Sequence, residues 1–221
     1  MPDLASVRGS AVARNIGLAG IAGTVLLFAA TILGSPGEPP LEATSAEAAR
    51  YIAGLDVSWK PAVAAVADLA MMILLWFMVG LGLLLRRVEG EIPIRSTMAM
   101  LSGVLVAAYV VLDPTEEAAT HRVAELSQAQ LAFAYDVTSI GFSKVWLATG
   151  TFALACGWVV VSTAFLPRWL GWWGITSGIA LGLTQFVWTR EGVWFAPYAA
   201  FWLWLLTTCV LLVRRPPQDL R

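Results

Sequence analysis

The sequence predicts an all-α, polytopic membrane protein: one integral domain spanning residues 1–221, six transmembrane helices, and an amphipathic extracytoplasmic helix. Three observations carry this. Hydrophobic residues make up 58% of the 221 and charged residues 13%, about half the charged share usual in soluble domains. Six apolar runs are long enough for a bilayer core, which needs about 20 helical residues. Arginines close one end of most runs. The composition excludes a disordered chain and an ordinary soluble globule, and a net charge of −1 gives no basic surface for nucleic acid.

The first span is 15–33. It follows Arg8 and Arg14 and stops at Gly34-Ser35-Pro36-Gly37. Its apolar run is too long for a signal peptide and shows no convincing cleavage site, so it reads as a retained helix. The second span, 62–85, is closed by Arg86-Arg87, and the third, 94–112, by Asp113-Pro114. The next apolar region is too long for one span. Its front half carries Glu125, Gln128, Gln130 and Asp136, so only 142–166 suits lipid. The fifth span is 170–189. The sixth, 193–213, is closed by Arg214-Arg215.

With both termini inside, Arg8, Arg14, Arg86, Arg87, Arg95, Arg168, Arg214, Arg215 and Arg221 are cytoplasmic. Arg50, Lys60, Arg122 and Arg190 are outside, with Lys144 at the border. This bias orients the chain by the positive-inside rule. The Lys-poor, Arg-rich bias, with many Ala and Val, suggests a GC-rich bacterial genome, and the expected location is a bacterial inner membrane. Two outside segments remain, 34–61 and 113–141. In the first, a short helix starts at Thr44 or Ser45, helped by Glu47, and runs to about Leu55. In the second, Asp113-Pro114-Thr115-Glu116 is a helix start. Val123, Leu126 and Leu131 give it an apolar side. It lies on the outer surface or runs straight into span four.

Gly174, Gly178 and Gly182 place small residues every four positions on span five, and Ala13, Gly17, Gly20 and Gly23 form a similar edge on span one. Such strips let helices approach closely. They hold the bundle together or offer a homodimer face. Among the 11 tryptophans, Trp76, Trp158, Trp202 and Trp204 fall near mid-depth and could line a slot for a flat hydrophobic ligand; packing or lipid contact is the simpler account. Cys156 and Cys209 lie in apolar runs and read as packing residues.

The stretch Phe165-Leu166-Pro167-Arg168-Trp169-Leu170-Gly171-Trp172 resembles the Leu-Pro-Arg-x-Leu-Gly signature of a large family of uncharacterised six-helix bacterial membrane proteins. The resemblance implies a first helix, an outside loop with an Ala-rich helix (here 44–55), and an Asp early in span two (here Asp68). Asp136 is similar to the Asp or His that many members carry before span four, whereas Lys144 departs from the pattern. The resemblance implies a fold and no established activity.

The chain holds no Walker loop, dinucleotide fingerprint, His-Glu-x2-His or Gly-x-Ser-x-Gly motif, and one histidine cannot build a bis-His haem site. No cofactor is expected. Glu117, His121 and Glu125 follow i, i+4, i+8 and would line one helix face as potential metal ligands, although a solvated face is the simpler reading.

Depth arithmetic brings out a further constellation. Asp68, Asp113, Lys144, Gln185 and Arg190 all stand about 26–36 Å above the cytoplasmic arginines at 1.5 Å per residue. With Glu191 they form a polar mouth at the outer boundary. Mid-depth holds only Ser and Thr hydroxyls. A proton or ion path would leave polar stepping stones there. Asp68 is expected to pair with Lys144 first or Arg190 second, since a lone carboxylate in an apolar span is costly. The function expected first is binding of a lipid, a hydrophobic small molecule or a partner membrane subunit, a second copy included. The alternatives are a small transporter and a membrane enzyme on a lipid or isoprenoid, with Asp68 and a second carboxylate (Asp113 or Glu191) as acid and base.

Overall fold

The computed structural model describes residues 4–34, 37–40, 43–55, 58–187 and 191–216, with the side chains of 4–8 and 191 excepted. All regular structure among them is helical: α1 (Leu4–Gly34), α2 (Ser45–Gly54), α3 (Lys60–Glu89), α4 (Ile94–Leu112), α5 (Thr115–His121), α6 (Gln128–Thr163), α7 (Arg168–Thr184) and α8 (Glu191–Arg214). A 3-10 turn, Gln185–Val187, extends α7. Five segments are long and apolar enough to cross a membrane: Gly9–Gly34, Lys60–Glu89, Ile94–His121, Gln128–Thr163 and Gly192–Arg214. This is consistent with a multi-pass membrane protein. The expected fifth span is shorter. Its helix, α7, has 17 residues, about 25 Å against a core of about 30 Å.

Six helices form a closed ring. α1 packs on α3, α3 on α4, α4 on α6, α6 on α7, α7 on α8, and α8 returns to α1. Consecutive members run antiparallel, so Arg14, Arg86, Arg95, Arg168 and Arg214 gather at one end of the bundle. α6 is the most enclosed of the long helices. Phe77, Phe152, Phe201, Trp204 and Leu205 fill the centre and are fully or almost fully buried.

Glycine makes the ring tight. Gly150 and Gly157 of α6 lie against Gly178 and Gly171 of α7. A Cβ on Gly150 would stand 2.7 Å from the Gly178 carbonyl oxygen, and one on Gly171 2.8 Å from that of Gly157. The seven-residue spacing on both helices keeps the two contacts in line, and backbones meet where side chains would hold them apart. The α1 strip is likewise used within the chain: Gly17 faces Cys209 and Val213, and Gly23 faces Ala70 and Leu74. A Cβ on Gly182 would meet nothing within 4 Å among the described residues. The strips of α1 and of Gly174 and Gly178 therefore pack intramolecularly, not as a face for another chain.

The other end carries a cap with its own core: Ala48, Tyr51 and Ile52 of α2, Ala119 of α5, and Leu131, Ala132 and Tyr135 at the start of α6. α2 begins at a capping box in which Thr44 and Glu47 satisfy each other. The Thr44 hydroxyl and backbone N–H hydrogen bonds hold the Glu47 carboxyl below its ordinary range. The region after Asp113 resolves the open alternative. α5 ends at His121, and a second capping box, Ser127 with Gln130, starts α6. α6 then runs unbroken for 36 residues, about 54 Å, well beyond the thickness of a bilayer core of about 30 Å.

Two polar staples join cap and bundle. Lys60 Nζ donates to the Gly34 carbonyl oxygen at 2.8 Å and to Glu116 Oε1 at 2.7 Å, tying α1, α3 and α5 together. The Tyr135 hydroxyl donates to the carbonyl oxygens of Pro39 at 2.7 Å and Pro40 at 3.1 Å. At the arginine end, Glu89 accepts from the backbone N–H groups of Arg95 and Ser96 and from Arg95 Nε, so it caps α4. Arg95 also donates to Ser162 Oγ at 3.1 Å, bringing in α6.

Candidate functional site

A groove of about 420 Å³ runs along the outside of the ring between α4 and α6. Met98, Ser102, Leu105 and Tyr109 line it from α4, and Lys144, Ala148 and Thr151 from α6. Its walls are mainly apolar and its polar groups are few. Ser102 is 3% exposed and its hydroxyl makes no hydrogen bond among the described residues, although it borders the groove.

The upper wall is organised by Tyr109. Gly141 leaves the space in which its ring lies against α6. Its hydroxyl is shared between Asp113 Oδ2 at 3.1 Å and the Thr138 carbonyl oxygen at 3.2 Å. The other Asp113 oxygen accepts from the Thr115 hydroxyl at 2.6 Å and its backbone N–H at 3.2 Å. Asp113 is therefore engaged as the corner between α4 and α5.

Among the described residues, no hydrogen bond or ion pair joins the members of the expected polar mouth. Lys144 is exposed at the groove edge and has no ion pair among the described residues. Asp68 is exposed on α3 and forms no ion pair or hydrogen bond among the described residues. The expected Asp68–Lys144 pair is absent among the described residues; both side chains lie on the outer surface, on the two helices that flank α4. Gln185 opens the 3-10 turn with its Oε1 buried and without a hydrogen-bond partner among the described residues. Arg190 and the side chain of Glu191 lie outside the described residues.

The four mid-depth tryptophans do not share a slot. Trp76 and Trp158 are 76% and 55% exposed, while Trp202 and Trp204 are buried. Helical phase separates them: equal depth does not mean one face. Trp158 sits beneath Arg95, whose guanidinium is 5.8 Å from its ring. The inward pair belongs to an aromatic ladder that begins at Phe142, Trp146 and Trp194, where Trp146 and Trp194 stack at 5.3 Å. It continues through Tyr198 to Trp202, Phe201 and Trp204.

The metal pattern also fails. Because α5 ends at His121, Glu125 is not on the same helix face as Glu117 and His121, and it pairs with Arg122 at 2.9 Å. Among the described residues no group of three His, Cys, Asp or Glu could hold a metal ion. Sequence reading missed Gly150, Gly157, Tyr109 and Gly141. The Ser-x-x-Gln box and the Gly-x6-Gly spacing were readable signals; the Tyr109–Gly141 fit was not.

No family model, curated protein or solved structure matches this chain.

Proposed function

We propose that the chain is a six-span protein of the bacterial inner membrane, with α7 and its 3-10 extension as the fifth span and the cap outside. The gathering of arginines at the opposite end supports that orientation. The Leu-Pro-Arg stretch that resembles the six-helix family fits this reading. Ala164 at φ 55 ends α6, Leu166 is buried, and Pro167 opens α7, a tight connection between antiparallel spans.

Its function is to bind a partner in the plane of the membrane, through the lateral face formed by α3, α4 and α6. The observation that carries this is the groove flanking α4, with Lys144 at its edge and Asp68 on the neighbouring helix, neither of which has an ion pair among the described residues. Charged groups in spanning segments are costly and mark function by default. Catalysis with Asp68 and Asp113 as acid and base would need the two together, and Asp113 is bound by Tyr109 and Thr115. Transport would need polar groups at mid-depth, where aromatic side chains pack and the Thr149 and Thr208 hydroxyls bond their own helix.

Native mass spectrometry of protein released from nanodiscs tests the reading. The parent is expected to carry an amphiphile or a second chain. Lys144→Met and Leu105→Trp, which fills the groove from an exposed position, are each expected to reduce that species. A bare monomer in all three samples would overturn the proposal.

A further inference from the structure

We infer that the partner on this lateral face is a second copy of the same chain, held by two reciprocal Asp68–Lys144 ion pairs about a two-fold axis beside α4. The inference rests on the reading of the face as a binding surface and names its occupant. Four observations support it.

First, the two side chains have opposite charge, both are exposed, and neither has an ion pair among the described residues. Second, they stand at nearly one height. Arg95 bonds both Glu89 and Ser162, which gives α3 and α6 a common floor. Asp68 is about 31 Å above Glu89 along α3 and Lys144 about 27 Å above Ser162 along α6. The flexible lysine stem covers the difference.

Third, α4 lies between α3 and α6 in the ring. A two-fold axis along the membrane normal, passing beside α4, sets α3 of one protomer opposite α6 of its partner. Heights are unchanged by that rotation, so Asp68 meets Lys144 twice, as a self-complementary interface requires. At the axis α4 offers Leu101, Val104 and Leu112, all exposed and apolar. Fourth, a single anionic lipid would neutralise Lys144 but leave the Asp68 carboxylate without a counter-charge. A second copy compensates both charges at once.

The test uses charge reversal in full-length chains carrying two different affinity tags, co-expressed and recovered in nanodiscs. The parent is expected to co-purify across tags. Asp68→Lys and Lys144→Asp, each expressed under both tags, are expected to lose co-purification, as are the neutral variants Asp68→Asn and Lys144→Met. A chain with Asp68→Lys mixed with a chain with Lys144→Asp is expected to regain it, because both cross-pairs are then oppositely charged; that recovery also shows that both variants are folded. Self-association of either reversed chain at the parent level would overturn the inference. A monomeric parent that carries an anionic lipid, lost in Lys144→Met, would overturn the second copy while leaving the lateral binding face intact. A parent with neither lipid nor second chain would overturn both.

Discussion

The Trp204 indole N–H donates to the Leu170 carbonyl oxygen at 3.0 Å, and it reaches that oxygen because Gly174 has no side chain. A Cβ on Gly174 would stand 2.9 Å from indole Nε1 and Cε2. One missing side chain thus permits a buried hydrogen bond between α8 and α7, in a region where an unmet indole donor would carry a desolvation cost.

Gly174→Leu is therefore expected to destabilise by about 1–3 kcal/mol or more through overpacking, and Trp204→Phe by about 0.5–1.5 kcal/mol through the lost hydrogen bond. Gly182→Ala, with open space around it, is expected to be neutral. Thermal melting in mild detergent measures all three. A Gly174→Leu melting temperature equal to the parent's would refute the account.

Gly178→Leu is expected to weaken the α6–α7 contact, since Gly178 lies against the Gly150 backbone and Leu154. The loop glycine Gly37 looks from sequence like a neutral control. It is not one, because its φ is 70°, a region that penalises side chains. Greater loss of folded protein for Gly178→Leu than for Gly182→Leu, read by size-exclusion recovery, is the expected result.

The Lys60–Glu116 bridge predicts non-additivity. Lys60→Met leaves Glu116 and the Gly34 carbonyl without their donor, and Glu116→Gln leaves Lys60 without its carboxylate. Both side chains are largely covered, at 15% and 25% exposure. The double variant is expected to cost less than the sum of the singles, with a coupling of about 0.5–3 kcal/mol. Additive losses in a chemical-denaturation cycle would mean that the bridge contributes nothing.

Tyr135→Phe removes both hydrogen bonds that hold the Pro39–Pro40 segment to α6. The expected outcome is faster protease cleavage between α1 and α2, with the melting temperature of the bundle little changed. Unaltered cleavage would show that the cap core alone fixes the segment.

Orientation is checked by single cysteines. Ser45→Cys and Gln128→Cys, both at exposed cap positions, are expected to label from outside intact cells. Glu89 is a poor choice for the opposite end, because its carboxylate caps α4; the exposed Glu91→Cys replaces it and is expected to stay unlabelled. The parent's Cys156 and Cys209 are buried. Labelling at Glu91→Cys would invert the topology.

The all-helical class and the cap start at Thr44 were legible in the sequence, because hydropathy and capping act over a few neighbouring residues; the break after His121 and the start of α6 at Gln128 were not read from it. Asp68 and Lys144 were also recognisable as costly charges in apolar runs. Which side of a helix each residue takes, and which helix lies next to it, depends on packing between segments distant in the chain. That is why depth arithmetic placed Trp76 beside Trp204 although one points out and the other in, and why it paired Asp68 with Lys144 although both point to the outer surface without an ion pair among the described residues. The α1 and α7 glycines were seen as strips; only the ring shows that they meet α8, α3 and the two glycines of α6. Local sequence determined where the helices are, since backbone hydrogen bonds in lipid must close within each helix. The tertiary structure decided which charges were satisfied, since a side chain's partner is set by the neighbouring helix and not by its own.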